Sequence, residues 1–221
     1  MHVNKLREFF DHHQQTVTIV LIVLIAGYAV YELKLATLYG PAFGSDSVTY
    51  MTSARNLVAG NGFGLINPDG SFRFLPYAPP LYPLVLSIPA VLGLDQVVAG
   101  FWVNAVLFMA TITMLGWGMW YLMRSTLAAV LLALLLAFSS VLIEMHIWIM
   151  TDALCLTMGM GSLLLMLIYL KTRSKKAFFW SAALAGLGVL TRYAGVGYCI
   201  AGALAVILLG SQAPKKRVVA G

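Results

Sequence analysis

The sequence predicts an all-α integral membrane protein of about six transmembrane helices, with interfacial helices in a large first external loop. Three observations predict it. Of 221 residues, 61% are hydrophobic and 10% charged, whereas a soluble domain carries about 25% charged residues to cover its surface. Apolar stretches of roughly 20 residues recur, each long enough at about 1.5 Å per residue to cross about 30 Å of hydrocarbon. The basic residues stand in short clusters between those stretches, so the net charge of +6 reads as topology. It makes no continuous face for nucleic acid.

Residues 1–15 form a short N-terminus with Lys5 and Arg7, expected in the cytoplasm. The first span covers 16–36. No small-residue cleavage site follows it, and Glu32 and Lys34 stand there instead, so it is a retained helix and no removable signal. Residues 37–96 make the external loop, and 97–210 a five-helix bundle with spans at 97–122, 127–143, 152–170, 177–191 and 194–210. The last two spans are short and carry Ala182, Gly186, Gly188, Gly195 and Gly202, small residues that let helix backbones approach closely. Cys155 and Cys199 lie inside apolar stretches as small hydrophobes, with no disulfide or metal spacing. Residues 211–221 return to the cytoplasm.

One apolar stretch is ambiguous. Residues 79–94 are short for a crossing and contain Pro79, Pro80, Pro83 and Pro89. Charge decides the matter, because cytoplasmic loops are enriched in Lys and Arg. With six crossings, ten of the fourteen basic residues face inward: Lys5, Arg7, Arg124, Lys171, Arg173, Lys175, Lys176, Lys215, Lys216 and Arg217. A seventh crossing at 79–94 would throw the clusters at Lys171 and Lys215 outside. That segment is therefore interfacial or re-entrant. Six of the eight acids (Glu32, Asp46, Asp69, Asp95, Glu144 and Asp152) then lie at or beyond the outer interface, where chemistry is expected.

A loop of about 60 residues is too long for a plain connection. Val48, Met51, Ala54 and Val58 recur at helical spacing, which predicts an amphipathic helix on the membrane surface. Ser45 is its expected N-cap, Asp46 sits in the first turn where the helix dipole favours a carboxylate, and Gly60 ends it. A turn follows at Asn67-Pro68-Asp69-Gly70.

The loop's order of residues carries a resemblance. Asp46-Ser47, Tyr50, Ala54, Gly60-x-Gly62-Phe63 and then Tyr77-Ala78-Pro79-Pro80-Leu81-Tyr82-Pro83 resemble the polytopic GT-C glycosyltransferases. The nearest branch holds the dolichyl-phosphate-mannose protein mannosyltransferases and the bacterial aminoarabinose transferases. Further on, Thr151-Asp152 is similar to the family's second acidic element, and Leu190-Thr191-Arg192 to a basic element near donor phosphate. The resemblance implies a glycosyltransferase moving a sugar from a polyprenyl-phosphate donor to an acceptor at the outer face of the plasma or inner membrane. It implies Asp46 and Asp152 as catalytic residues, Arg192, then Arg55 and Arg73, as phosphate ligands, and Tyr50 and Tyr82 as groove lining. No cofactor is implied beyond the lipid-linked sugar, which is the substrate.

Each residue also has a plainer reading. Asp46 is placed to stabilise a helix start, and Lys34, Arg55 and Arg73 to meet lipid headgroups. Arg192, bracketed by two apolar spans, needs a partner. Glu144, His146 and Asp152 have metal-ligand side chains but no metal-ligand spacing, and no metal is expected. Members of the family carry further spans and often a C-terminal external domain, so the chain is expected to be the N-terminal portion of a longer protein. The alternative is a non-catalytic subunit using the same scaffold to bind partner membrane subunits. A transporter is disfavoured, because the spans lack a paired repeat and midplane polar residues are few.

Overall fold

A computed structural model describes residues 2–209, with side chains from His13 onward. The regular structure of the described residues is helical apart from one hairpin and an isolated bridge. In order it runs α1 (His2–Ala36), α2 (Ser45–Val58), β1 (Gly64–Ile66), β2 (Phe72–Phe74), α3 (Leu81–Val91), α4 (Gln96–Met123), α5 (Thr126–Ala137), α6 (Ser140–Ile147), α7 (Thr151–Thr172), α8 (Lys175–Thr191), a 3₁₀ turn (Tyr193–Gly195) and α9 (Val196–Leu209).

Among the described residues, three helical segments are long and apolar enough to cross a bilayer: His13–Ala36 within α1, α4 and α7. A fourth exists if α5 and α6 count as one span. The stretch expected as a straight crossing at 127–143 is in fact broken, with α6 turning 52° away from α5. Ser139 is the physical reason. Its backbone is extended, with φ −71° and ψ 112°, and its Oγ accepts the Leu142 N–H at 3.3 Å, so it caps a new helix inside an apolar run. At 17 and 14 residues, α8 and α9 are shorter than the roughly 20 residues a perpendicular crossing needs. The expected segment 211–221, with Lys215, Lys216 and Arg217, lies outside the described residues, as do the side chains of Lys5 and Arg7.

The bundle packs through two apolar clusters. In the first, Ile22, Ala26 and Leu33 of α1 meet Phe108 and Ile112 of α4, while Ala129, Ala133 and Ala137 recur every turn of α5 and bring that helix close. In the second, Met51 and Ala54 of α2 and Tyr82 and Leu86 of α3 pack against Leu107 of α4 and Ile149, which fastens α2 and α3 to the bundle. Buried hydroxyls add interhelical bonds. Thr111 and Thr157 join α4 to α7 at 2.9 Å, and Ser162 donates to the Ser181 carbonyl at 2.8 Å while Ser181 donates back at 2.9 Å.

The loop segments correct several expectations. The α2 helix forms where the apolar spacing predicts it, but its cap is Gly44, whose N–H donates to Ser47 Oγ at 3.1 Å, and Ser45 is its first residue. The buried face is Ser47, Met51, Ser53, Ala54 and Asn56, while Val48 and Val58 are 49% and 42% exposed. Asn56 explains the rotation: its Nδ2 donates to the Gly64 carbonyl at 2.7 Å and pulls a polar face onto the hairpin. The predicted turn closes that hairpin, with Asn67 N–H donating to Ser71 O at 2.9 Å and Gly70 at φ +83°. The α3 helix has 11 residues, about 16 Å at 1.5 Å each, too short to cross.

Candidate active site

At the end of the bundle where α7 and α9 start and α8 ends, four chain segments surround a cleft of about 450 Å³. The first turns of α2 supply Asp46, Thr49 and Tyr50, the 77–79 stretch supplies Tyr77, the start of α7 supplies Thr151, and Arg192 and Tyr193 follow α8. Asp46 is exposed and enters no ion pair among the described residues. Across the cleft Arg192 forms an ion pair through Nη1 with Asp152 Oδ1, the two side chains 46% and 34% exposed.

A buried relay holds the turn before α7 in place. Asn104 of α4 is fully buried, and its Nδ2 donates to the carbonyls of His146 at 2.9 Å and Trp148 at 2.7 Å. The chain after α1 joins the same turn as a parallel bridge, Ala42 donating to the Ile147 carbonyl at 3.0 Å and Ile149 donating to the Ala42 carbonyl at 2.9 Å. On the other side of the amide, Tyr82 donates its hydroxyl to Asn104 Oδ1 at 3.4 Å and packs edge-on against Tyr50, centroids 5.7 Å apart. Tyr50 and Thr151 both line the cleft. One amide thus ties α2, α3, α4 and the start of α7 together.

The Arg192 side has its own lock. Arg192 leaves α8 extended at φ −158°, its N–H on the Gly188 carbonyl at 3.0 Å, and Gly195 returns so closely that an added Cβ would lie 2.4 Å from that same carbonyl. Tyr193 donates to the Tyr77 carbonyl at 3.0 Å, which closes the rim.

Electrostatics follow from these placements. Burial pushes the Tyr50 phenol up, with the Asp46 carboxylate adding to the effect and the Thr151 hydrogen bond and Arg192 opposing it. Burial pushes Tyr82 up further. Both therefore act as neutral hydrogen-bonding groups at physiological pH. The cleft presents one free carboxylate, one paired guanidinium and neutral phenols, a set able to orient a hydroxyl nucleophile and to receive an anionic leaving group.

The residues singled out in the sequence do not all meet here. Asp46, Tyr50 and Arg192 line the cleft, with Asp152 bound to Arg192. Tyr82 is 0% exposed and supports Tyr50 from behind, so it does not line the groove. Arg55 faces Asp95 at 3.6 Å in a different recess, and Arg73 lies on exposed β2. Neither is among the cleft residues. Tyr193 and Thr49 carry no motif and were not singled out; the nearest signal is an aromatic residue directly after Arg192 at a membrane-interface position. Among the described residues no three His, Cys, Asp or Glu side chains are grouped to hold a metal. His146 is buried against Phe108 with Nδ1 at 2.7 Å from the Leu142 carbonyl, while Glu144 borders a separate recess.

No curated protein sequence and no solved structure matches the chain. The model of the dolichyl-phosphate-mannose-protein mannosyltransferase family matches residues 77–220, a stretch that includes Tyr82, Asp152 and Arg192 and begins after Asp46. That match covers well over half of the chain. The chain belongs to the dolichyl-phosphate-mannose-protein mannosyltransferase family, a GT-C-type family of membrane glycosyltransferases.

Proposed function

We propose that this chain transfers a sugar from a polyprenyl-phosphate donor to an acceptor at the outer face of the plasma or inner membrane. The observation that carries the reading is the Asp46 carboxylate, without an ion-pair partner among the described residues, facing the Arg192–Asp152 pair across one cleft at the end of an apolar bundle. In the step envisaged, the acceptor oxygen attacks the anomeric carbon and loses its proton to Asp46. The anomeric C–O bond breaks with its electron pair passing to the phosphate oxygen. Arg192 binds the phosphate as charge develops on it, and Asp152 holds the guanidinium in position. Tyr50 and Tyr77 form the walls on either side of the sugar. The topology proposed with this reading has α8 and α9 as short fifth and sixth crossings in a locally thinned bilayer and the N-terminus in the cytoplasm, in line with the charge distribution.

The test is Asp46→Asn in proteoliposomes supplied with a polyprenyl-phosphate sugar. Asparagine keeps the size and hydrogen bonding of the first turn, so the helix start loses only about 0.3–1 kcal/mol of dipole interaction. Transfer is expected to fall roughly 10²–10⁴-fold, the usual worth of a positioned general base. Unchanged turnover removes Asp46 from the reaction, and an inert wild-type chain across a panel of polyprenyl-linked sugars removes the enzyme reading.

A further inference from the structure

A second polar recess lies at the same end of the bundle, outside the cleft. About 300 Å³ in volume, it opens between the end of α2, the turn after α3 and the start of α4. At its mouth Arg55 and Asp95 stand 3.6 Å apart, 59% and 57% exposed. Gln96 also borders it. This residue is 3% exposed, and its Oε1 has no hydrogen-bond partner among the described residues. A buried carboxamide oxygen without a donor is unfavourable, so a ligand N–H directed at it stabilises the site. The Val97 N–H holds the Asp95 carboxyl below the usual carboxylate range, so the recess keeps one full charge of each sign.

The surroundings are apolar. Val58, Ala90 and Leu94 line the recess, and beside it α3 turns Leu84, Ile88 and Val91 outward at helical spacing, 46%, 65% and 70% exposed. Such a stripe on a short interfacial helix belongs among acyl chains. An exposed ion pair in water contributes little to stability. The Arg55–Asp95 pair is therefore free to open towards a ligand that carries the complementary charges.

We propose that this recess binds the headgroup of a zwitterionic aminophospholipid, its phosphate on Arg55, its ammonium on Asp95 and Gln96 Oε1, and its acyl chains along the α3 stripe. The donor and acceptor inventory selects among lipids. An anionic glycerol headgroup satisfies Arg55 but sets a negative charge against Asp95. A choline headgroup balances the charges but has no N–H for Gln96 or Asp95. A primary ammonium supplies three.

Native mass spectrometry of the full chain in detergent, titrated with phosphatidylethanolamine, phosphatidylcholine and phosphatidylglycerol of identical acyl chains, tests the assignment. The ethanolamine lipid is expected to be retained roughly tenfold more tightly than the other two. Arg55→Gln and Asp95→Asn are expected to abolish that preference; asparagine still caps α4, so a loss in that variant reads as lost recognition. Equal retention of the three lipids, or a preference that survives both substitutions, overturns the proposal. Soluble glycerophosphoethanolamine or inorganic phosphate binding as tightly as the lipid also overturns it, by assigning the recess to a free phosphate compound.

Discussion

Asn104→Leu tests whether one buried amide builds the cleft. Leucine branches at Cγ as asparagine does but is larger, so overpacking of about 1–3 kcal/mol at this fully buried site adds to the loss of hydrogen bonding. Two donated bonds disappear, at 2.9 and 2.7 Å, together with the acceptor that Tyr82 uses at 3.4 Å. The Trp148 carbonyl keeps a partner in the Met150 N–H at 2.9 Å, but the His146 carbonyl loses the donor that Asn104 supplies and the Tyr82 hydroxyl loses its partner in the core. At about 1–3 kcal/mol for each of these two buried groups left unpaired, the hydrogen-bonding cost is about 2–6 kcal/mol. A chain of this length loses about 2–4 °C of Tm per kcal/mol, so Tm in detergent is expected to fall by about 4–24 °C from the hydrogen bonding alone. Because the same turn leads into Thr151 and Asp152, transfer is expected to drop by more than about tenfold even well below the new Tm, since small displacements of reacting groups carry large rate penalties. Scanning fluorimetry reads the first effect and radiolabelled sugar transfer the second. A variant that melts within about 2 °C of the parent would refute the stability estimate, and wild-type turnover would refute the role of the relay in positioning the cleft.

Gly195→Ala places a methyl 2.4 Å from the Gly188 carbonyl, where backbone must move; overpacking of this kind costs about 1–3 kcal/mol. The displaced turn carries Arg192, so donor KM is expected to rise, and Gly197→Ala, with open space around its Cβ, serves as the control that leaves both unchanged. Arg192→Lys keeps the charge but loses the planar fork, and is expected to reduce turnover by roughly tenfold or more in the same assay. Stability at alkaline pH follows from Tyr82. Its folded pKa is raised above the unfolded value of about 10, so the unfolded chain ionises first and binds fewer protons. The contribution is complete below about pH 10 and is lost as pH rises through the folded pKa. Tyr82→Phe is expected to flatten the fall in Tm between about pH 10 and 11.5.

Of the six expected spans, three were legible because hydrocarbon imposes a single demand, a long apolar run, and α1, α4 and α7 meet it without interruption. That 79–94 forms no long helix was legible for a related reason, since its four prolines act against one, and α3 has only 11 residues. What stayed hidden depends on contacts with protein instead of lipid. The buried face of α2 is chosen by Asn56 reaching the Gly64 carbonyl, a bond that no periodicity encodes. The hairpin escaped notice because its strands have three residues each. Asp152 and Arg192 were each picked out, but their pairing across 40 residues of chain depends on how α7 packs against α8. Arg55 illustrates the converse. Its position in the loop suited a phosphate ligand, and only the geometry reveals Asp95 as its neighbour.

The break between α5 and α6 gives the cleft its shape. A straight helix over 126–147 would carry its last residues along the bundle axis, with their side chains committed to lipid or to α4. Instead the 52° bend at Ser139 swings α6 across the bundle end and brings the backbone of 146–149 over Asn104 and beside Ala42. Backbone carbonyls exposed in this way are intolerable in hydrocarbon and persist only where protein donors meet them. Asn104 and Ile149 provide those donors, so the break and the amide depend on each other. Their joint product is a sharp start to α7, with Thr151 lining the cleft and Asp152 turned to Arg192. Extending the helix by replacing Ser139 and Ser140 with alanine removes the Oγ cap and favours the straight form by about 1 kcal/mol. That change is too small to unfold the bundle, yet it acts directly on the turn that presents both groups, so activity should respond to it more strongly than stability does.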